Sequence, residues 1–437
     1  MNTKSLADKP SIVPVDANLS DPADPSMLAR IGRGILFTQF ARLEHGEIRV
    51  VDPEGERRFG HRTARCDLSV TVTVDHPQLY ADAAFGGTVG AGEAYIRGLW
   101  HCDDLAALVR IFVVNRDMMN GMDSRWSLVS RPFLRLFHLL NRNSRQGSAR
   151  NIAAHYDLGN ELYQSMLDPT MAYSCGIFER EGATMYDASI AKFNAVCRKL
   201  DLRPSDHLVE IGTGWGGLAI HAAQHYGCHV TTTTISQEQH DYAKEKIAEA
   251  GLGNRVTLLL EDYRDLRGKF DKAVSIEMIE AVGANYLDTY LAKCASLLHD
   301  HGSMLLQAIT IQDQHYEQAR KSVDFIQRFI FPGSFIPSVA AISSSLVRAT
   351  DFKIYHLEDI GPHYARTLQL WRERFFENIA TIRRLGYPES FVRLWEYYLC
   401  YCEGGFAERQ LGDVQLLLTK PGCRRAPIAS AIAHAAP

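Results

Sequence analysis

From Ser205 onward, strand-like runs alternate with helical ones, and this order constrains the fold more than any other feature of the chain. The apolar and β-branched runs are HLVEIG, HVTTTTI, VTLLLED, KAVSIEM and SMLLQAITI, and between them lie GGLAIHAAQHY, SQEQHDYAKEKIAEAG and NYLDTYLAKCASLL. This alternation predicts an α/β fold with a doubly wound, mostly parallel sheet of the Rossmann type. No internal repeat appears, so we expect one such unit without a second mononucleotide-binding half.

A glycine-rich loop follows the first of these strands. Residues 209–217 read VEIGTGWGG, and two fingerprints overlap there. Gly212, Gly214 and Gly217 fit the G-x-G-x-x-G pattern of dinucleotide-binding proteins, whereas Glu210, Gly212, Gly214 and Gly216 fit the E-x-G-x-G loop that holds S-adenosylmethionine. On its own the loop decides little, because glycines after a strand often serve only close strand–helix packing.

Residues at the ends of the next two strands favour the second ligand. A nicotinamide enzyme needs an acidic residue about 20 positions past the loop to bind the ribose hydroxyls. Here the second strand ends in TTTTISQEQ, so Thr234 and Gln239 offer only neutral contacts to the ribose or amino-acid end. After the third strand, Asp262 is placed to accept from an adenine amino group and Tyr263 to stack on the ring. A zwitterionic sulfonium nucleoside without phosphates suits such a site.

The remainder of the chain divides into further segments. A leader rich in Pro, Asp and Ser is expected to be disordered, and the runs IRVVD, LSVTVTVD and DLAALVRIFVVNRD predict a smaller N-terminal α+β domain. The predicted boundaries are 1–28 for the leader, 29–120 for the α+β domain, 121–150 for a basic amphipathic linker, 151–420 for the main domain and 421–437 for a tail.

The linker belongs to a longer stretch, residues 124–156, that carries six arginines and no acidic residue. Trp126, Phe133 and Phe137 are interleaved with these arginines, as in a surface that lies on anionic lipid. A solvated face or a plain interdomain linker explains the stretch equally well. The sequence leaves both interpretations open.

The cysteine content and the hydropathy of the chain indicate the cellular compartment of the protein. Nine cysteines, an odd number without C-x-x-C pairs, argue against a disulfide framework or a zinc site and favour a reducing compartment. The N-terminus lacks the apolar core of a signal peptide, and no stretch approaches the roughly 20 uncharged apolar residues of a membrane span. We therefore expect a cytoplasmic protein with no bound metal and no nucleic-acid partner.

Several motifs, in one order, resemble the cyclopropane fatty acid synthase family of S-adenosylmethionine-dependent methyltransferases. They are HYDLGNELYQSMLDPTMAYSC (155–175), VEIGTGWGGLA (209–219), TISQEQ (234–239), EDYRDL (261–266), SIEMIEAVG (275–283), FIFPG with PS (329–338), PHYARTLQLWRERF (362–375) and, near the N-terminus, GEAYIRGLWHCDDL (92–105). The resemblance implies a class I methyltransferase domain and covers nearly everything beyond the leader. It also implies that Tyr173 and Ser174 close over the methionine part of the cofactor.

What the resemblance implies for function is specific. Members of this family sit on a bilayer and methylate a cis double bond in a phospholipid acyl chain, leaving a carbocation. A bound bicarbonate, held by a Cys, a Glu, a His, a Tyr and a backbone amide, then removes a proton so that the ring closes. Residue by residue, Cys175, Glu280, Tyr364 and the backbone of Ile309 match four of these five places.

The fifth place differs. Gln307 stands at the position of the family's histidine, and an amide can donate to an anion but cannot carry a proton near neutral pH. Replacing a charge-assisted contact by a neutral one costs about 1 kcal/mol. We therefore expect a retained but weakened anion site. The product is left open between a cyclopropane and a methyl-branched or methylated unsaturated chain.

Each assigned functional residue also has a purely structural interpretation. Cys175 is by residue type more often a packed core residue than a ligand, and Glu280 fits a carboxylate stabilised by a helix N-terminus. The aromatic-rich C-terminal half can be plain core or can line an acyl tunnel. Two rival functions also stay open: methylation of a small soluble amine, and lipid binding without catalysis. Our expectation is a methyltransferase at the cytoplasmic face of an anionic membrane, with a homo-oligomer left open.

Overall fold

The computed structural model describes residues 25–116 and 158–428. The leader up to residue 24, the whole of the predicted linker 121–150 and the end of the tail lie outside these residues. The described chain forms two compact units, and the chain passes between them more than once. The first unit comprises the described residues up to 116 together with Lys321–Gly333 and Tyr364–Leu411, and the second comprises 158–320, Ser334–His363 and 412–428.

The first unit contains a small four-stranded sheet. Its strands are β1 (Gly46–Asp52), β2 (Gly55–His61), β3 (Ser69–Val74) and β4 (Trp100–Cys102), in the order β2-β1-β3-β4. β1 pairs antiparallel with β2 and parallel with β3. This arrangement confirms the predicted N-terminal α+β fold, because strands are present at both predicted runs and the helix Leu105–Val114 lies within the predicted run DLAALVRIFVVNRD.

Helices make up the rest of the first unit. They are Met27–Phe40, Gln78–Ile96, Leu105–Val114, a π-helical turn at Ile326–Ile330, the helix Gly361–Glu377 from residue 364 onward, Ile379–Arg384 and Glu389–Ala407. The hydroxyl of Tyr95 donates to Glu396 at 2.7 Å, and Arg110 donates to Glu408 at the same distance. These contacts tie the C-terminal helix Glu389–Ala407 to the N-terminal helices.

Aromatic side chains of the C-terminal half are packed inside this first unit. The ring of Phe325 lies 4.5 Å from that of Tyr397, and Phe391 stacks on Trp395 at 5.3 Å between ring centroids. Phe325, Phe391 and Trp395 are all buried. The packing is that of a core, and the acyl-tunnel alternative stays a prediction.

The second unit is built on a seven-stranded sheet of order β10-β11-β9-β8-β5-β6-β7. Its strands are β5 (His207–Ile211), β6 (His229–Thr234), β7 (Val256–Leu260), β8 (Phe270–Ile276), β9 (Leu298–Ile311), β10 (Lys353–Asp359) and β11 (Leu411–Thr419, from residue 412 onward). β5 to β9 pair in parallel, and β10 pairs antiparallel with β11. All five strands predicted from the alternating pattern are present, which confirms the doubly wound fold.

Helices cover the sheet of the second unit. They are Asn160–Met166, Met185–Leu200, Gly217–Tyr226, Gln237–Glu249, Leu287–Ser296, Asp313–Ala319 and Val339–Ala349, with 3₁₀ turns at Ile279–Ala281 and Ala284–Tyr286. The helix Met185–Leu200 begins at a capping box in which Thr184 and Asp187 satisfy each other's backbone N–H groups. It ends at Asp201 in the left-handed conformation. Its buried face packs Phe193, Val196 and Leu200 against the core.

The two compact units do not follow the domain boundaries predicted from the sequence. Residues 321–333 and 364–411 were placed with the main domain, but they are compact with the N-terminal residues instead. The reason is that the helix Glu389–Ala407 buries its aromatic face within the first unit. Within the described part of the chain, every helix is too short or too polar to cross a bilayer.

Candidate active site

The glycine loop has the backbone that its sequence requires. Gly212, Gly214 and Gly216 have φ angles of 97°, 53° and 92°, in the left-handed region that favours glycine. Among the described residues, no heavy atom lies within 4 Å of where a Cβ atom on Gly214 would be, so the described part of the chain leaves space beside the backbone there. The loop starts where the N–H groups of Gly212 and Thr213 both donate to the carbonyl of Thr233. A ligand can therefore approach the main chain closely at Gly214.

Glu210 lies at the end of β5, beneath this loop, and is 4% exposed. Its oxygen Oε2 accepts a hydrogen bond of 2.6 Å from the hydroxyl of Thr232. Burial raises the pKa of Glu210 to about 8. The carboxyl group therefore holds a proton near neutral pH unless a ligand supplies further hydrogen-bond donors.

The structure brings Thr234 and Gln239 together at the end of β6. The hydroxyl of Thr234 donates to Oε1 of Gln239 at 2.9 Å, and both side chains are buried. Ser236 caps the helix Gln237–Glu249 and positions Gln239 in its first turn. These groups form the neutral polar surface that the sequence predicts for the second strand.

Asp262 and Tyr263 lie just after β7, as predicted, but they have partners within the protein. Both oxygens of Asp262 accept from the guanidinium of Arg264, at 2.8 and 2.6 Å. The ring of Tyr263 meets that of Tyr290 edge-on at 5.3 Å. Their predicted contacts with adenine stay predictions, and the partner Arg264 was not predicted from the sequence.

Ser174 lies against a lysine that was not anticipated. Nζ of Lys192 donates to Oγ of Ser174 at 2.6 Å, and both residues are buried. The neighbouring Tyr173 packs edge-on against Tyr163 at 5.3 Å. Burial lowers the pKa of Lys192, and the negative charge of Glu277 opposes that shift.

Two glutamates follow β8, at the carboxyl edge of the sheet where ligands bind in this class of fold. Glu280 lies on the 3₁₀ turn Ile279–Ala281, and its Oε1 accepts from the backbone N–H of Ile309 at 2.6 Å. Glu277 has a φ of 47°, which is uncommon for a residue with a side chain. Its Oε1 accepts from the backbone N–H of Cys175 at 2.9 Å. Such local strain is found most often at functional sites.

Gln307 is completely buried and lies between these groups. Its Nε2 donates to Oε1 of Glu277 at 2.8 Å and to Oδ2 of Asp413 at 2.9 Å. Its Oε1 accepts from Nε2 of Gln415 at 2.9 Å. An amide has two N–H groups, so the carboxylates of the chain use both. The predicted donation from Gln307 to a bound anion stays a prediction.

The three carboxyl groups of Glu277, Glu280 and Asp413 are called the carboxyl cluster below. Burial raises the pKa of Glu280 to about 8, with a further contribution from the charge of Glu277. Burial also raises the pKa of Asp413 well above its usual range, and the charges of Glu277 and Glu280 add to the effect. Oε2 of Glu280 and Oδ1 of Asp413 are buried and make no hydrogen bond with the described residues.

Cys175 is fully buried, and its thiol donates to the carbonyl oxygens of Gly176 and Ile360 at 3.3 and 3.6 Å. Burial raises the pKa of this thiol well above its ordinary value, and the charges of Asp413 and Glu277 act in the same direction. The group is therefore a neutral thiol, unsuited to act as a nucleophile.

Tyr364 belongs to the first unit. It is buried, its ring stacks on Phe406 at 4.4 Å, and it meets Trp371 edge-on at 6.1 Å. The second unit thus gathers Cys175, Glu280, Gln307 and the backbone of Ile309 around one cluster. The role predicted for Tyr364 stays a prediction.

Three functional candidates were missed in the sequence: Lys192, Glu277 and Asp413. Each carried a signal, since each is a charged residue in an apolar setting. Lys192 occupies the buried face of the helix Met185–Leu200, and Asp413 interrupts the apolar run of β11. Glu277 directly follows the strand run KAVSI, at the sheet edge that binds ligands.

Comparison with known proteins identifies the family. The family model described as mycolic acid cyclopropane synthetase matches residues 143–416. The chain belongs to this family. It is therefore an S-adenosylmethionine-dependent C-methyltransferase, and the open glycine loop and the neutral groups at Thr234 and Gln239 fit that cofactor.

The sequence similarity to individual members of this family extends over most of the chain. The chain is 38% identical over 344 residues to the tuberculostearic acid methyltransferase UfaA1 of Mycobacterium tuberculosis, covering 77% of this chain and 80% of that protein. It is 33% identical over 379 residues to the cyclopropane-fatty-acyl-phospholipid synthase of Escherichia coli, covering 85% of this chain and 94% of that protein.

A solved structure in the same family is similar in fold. The mycolic acid cyclopropane synthase CmaA1, complexed with SAH and CTAB, aligns with a TM-score of 0.58 at 29% identity, covering 62% of this chain and 98% of that one. The similarity confirms the class I methyltransferase fold predicted from the sequence.

Proposed function

We propose that this enzyme transfers a methyl group from S-adenosylmethionine to a cis double bond in an unsaturated phospholipid acyl chain. The observation that carries the proposal is the carboxyl cluster. Asp413 and Oε2 of Glu280 are buried, and the cluster lies at the carboxyl edge of the same sheet that presents the glycine loop. Methylation or cyclopropanation of lipid acyl chains is the activity named for the family and for its relatives in M. tuberculosis and E. coli.

The cofactor supplies one piece of chemistry: a methyl group made electrophilic by its bond to a positively charged sulfur. The chain's own residues bind and orient it. Glu210, Gly212 and Gly214 form the loop at the end of β5, and Thr234 and Gln239 form the neutral surface at the end of β6. Asp262 and Tyr263 complete the adenine side, and Tyr173 and Ser174 the methionine side.

An alkene is a weak nucleophile, and its methylation leaves a carbocation on the acyl chain. Water must be kept from that cation, and a base must receive a proton. The second unit provides the carboxyl cluster for these tasks: burial raises the pKa values of Glu280 and Asp413, so part of the cluster retains protons near neutral pH and the ionised part can act as a base. Fixed negative charge next to a developing cation stabilises the transition state.

Loss of the proton decides the product. A proton taken from the transferred methyl group gives a cyclopropane, and a proton taken from the neighbouring chain carbon gives a methyl-branched alkene. Either outcome adds one CH₂ unit to the acyl chain. The position of the double bond that remains, or its absence, separates the two.

The proposed place of action is the cytoplasmic face of an anionic membrane, to which the enzyme binds peripherally. The arginine-rich stretch 124–156 supports this proposal from its composition. That stretch lies outside the described residues. The substrate supports it as well, because phospholipid acyl chains reside in the bilayer.

Mass spectrometry of fatty acids tests the function directly. Purified enzyme is mixed with S-adenosylmethionine and anionic vesicles whose phospholipids carry one cis double bond per chain. We expect a mass gain of one CH₂ per modified chain. Resistance of the product to mild hydrogenation identifies a cyclopropane, and uptake of hydrogen identifies an alkene. Methylation of soluble amines without any change in the lipid would contradict the proposal.

A further inference from the structure

The groups predicted to hold bicarbonate are already engaged by the chain itself. The backbone N–H of Ile309 donates to Glu280 at 2.6 Å, and both N–H groups of Gln307 donate to Glu277 and Asp413. The thiol of Cys175 points to backbone carbonyls. An anion needs donors, and the donors that sequence similarity offers it in the second unit are in use.

The charges around the site also disfavour a bound anion. Glu277 and Asp413 have the Lys192 ammonium as a nearby positive charge, since the charges of both act on the pKa of Lys192. Burial raises the pKa values of Glu280 and Asp413, so the cluster retains protons near neutral pH; once it ionises to act as a base, its three carboxylates outnumber that one ammonium. A further anion placed among them would meet repulsion in a medium that screens poorly. The residues present therefore do not fit a bicarbonate ion.

Glu280 matches the glutamate that, by the sequence resemblance, holds the anion. Its Oε1 accepts a hydrogen bond from the backbone N–H of Ile309, and this bond fixes the orientation of the carboxyl group. Its Oε2 is buried and has no hydrogen-bond partner among the described residues. Asp413 also keeps one such oxygen, Oδ1. A buried carboxylate oxygen without a donor is costly to maintain, and its proton affinity is correspondingly high.

We propose that Glu280, supported by Glu277 and Asp413, is itself the base that deprotonates the alkylated acyl chain, so that turnover does not require bicarbonate. This inference rests on the proposed function. In the step, one C–H bond breaks. If it belongs to the transferred methyl group, its electron pair forms the third ring bond to the cationic carbon; if it belongs to the chain carbon next to the cationic carbon, its electron pair forms a new double bond. The proton passes to Oε2 of Glu280 and leaves to solvent after product release.

Gln307 acts here as a positioning residue. By donating to Glu277 and Asp413 at once, it holds two like-charged groups in fixed places. Their combined charge raises the proton affinity of the cluster. A neutral amide suits this role because it supplies two donors without the positive charge that would lower the basicity of Glu280.

The test compares rates with and without bicarbonate. Full-length enzyme is assayed on monounsaturated vesicles in buffer freed of carbon dioxide, and again after sodium bicarbonate is added. We expect rates that agree within about twofold. A rate that collapses without carbon dioxide and returns with bicarbonate would overturn the inference while leaving the proposed function intact. No product in either buffer would overturn both.

A variant probes the base itself. Glu277→Gln removes a negative charge that helps to raise the pKa of Glu280, so the half-maximal pH of the rate should move to lower pH by at least about one unit. Glu249→Gln, an exposed residue paired with Lys246, is the matched control and should leave the pH profile unchanged. Melting temperature and S-adenosylmethionine binding are measured for both variants. A folded, cofactor-binding Glu277→Gln enzyme with an unshifted profile would overturn the assignment.

Discussion

Gln307 and Asp413 are joined by a fully buried hydrogen bond of 2.9 Å from Nε2 to Oδ2. The two residues come from different strands, β9 and β11, which are neighbours in the sheet. The same amide nitrogen also reaches Glu277 on the adjacent strand end. One side chain thus fixes the spacing of two carboxyl groups that are far apart in the sequence.

Removing that amide should destabilise the protein. Gln307→Leu keeps the volume roughly constant but removes a donor from Oδ2 of the buried Asp413 and one donor from Oε1 of Glu277, which keeps the N–H of Cys175. This loss should cost about 2–4 kcal/mol in the free energy of unfolding. Chemical denaturation of the ligand-free enzyme measures this loss. The control is Gln237→Leu, because Gln237 makes a comparable hydrogen bond to Asp241 on an exposed helix. Equal effects of the two substitutions would contradict the structural role.

Glu280→Gln separates chemistry from cofactor binding. The amide preserves the shape of the side chain but cannot accept the proton, so the turnover rate should fall by about 10²–10⁴-fold. The dissociation constant for S-adenosylmethionine, measured by calorimetry, should stay nearly unchanged. Asp288→Asn, in an exposed ion pair with Arg348, serves as the control for a lost carboxylate. Equal losses of turnover rate and cofactor affinity would contradict the role of Glu280 as the base.

The fold of the second unit was largely predictable because its signals are local. Strands such as His229–Thr234 and helices such as Gln237–Glu249 are encoded by short apolar runs and by a cap at Ser236. The antiparallel strands Lys353–Asp359 and Leu411–Thr419 were not predicted. Their pairing joins segments about 60 residues apart in the sequence, and no short-range sequence pattern predicts that pairing.

The candidate site was predictable only in part, for a related reason. Glu280 could be predicted because it follows a strand at the ligand-binding edge of the sheet and lies in the motif SIEMIEAVG. Asp413 and Lys192 come from elements remote in sequence, and their meeting depends on the finished sheet. The function of Gln307 could not be read from its type, because an amide is defined by its partners, and those partners are the two carboxylates.

Buried Glu210 should make stability depend on pH. Burial raises its pKa from 4.5 to about 8, so the folded ligand-free protein favours the protonated form. The corresponding stability is fully present below about pH 4.5 and is lost as the pH rises through about 8, a change of roughly 2–5 kcal/mol. Glu210→Gln should flatten the unfolding free energy across this window relative to the native chain. An equally steep profile in the variant would place the titration elsewhere.

Lys192 should tune the carboxyl cluster. Lys192→Met keeps an apolar stem but removes the positive charge that faces Glu277 and Asp413. Without that charge the cluster holds its protons more tightly, and the half-maximal pH of the turnover rate should rise by about one unit. Lys246→Met, on the exposed face of the helix Gln237–Glu249, is the matched control. A fall in rate without any shift in the pH profile would indicate only a packing defect.

Membrane association can be tested through the arginine-rich stretch 124–156. Charge reversal of Arg131 and Arg135 to Glu should weaken sedimentation with anionic vesicles, since each basic residue near such a surface contributes about 1 kcal/mol. The loss should be largest at low ionic strength, where screening is weak. The same double change at exposed Arg180 and Arg203, both in the second unit, controls for net charge. Cosedimentation unaffected by reversal at Arg131 and Arg135 would return the stretch to the status of a linker, and the enzyme would have to reach its lipid by another surface.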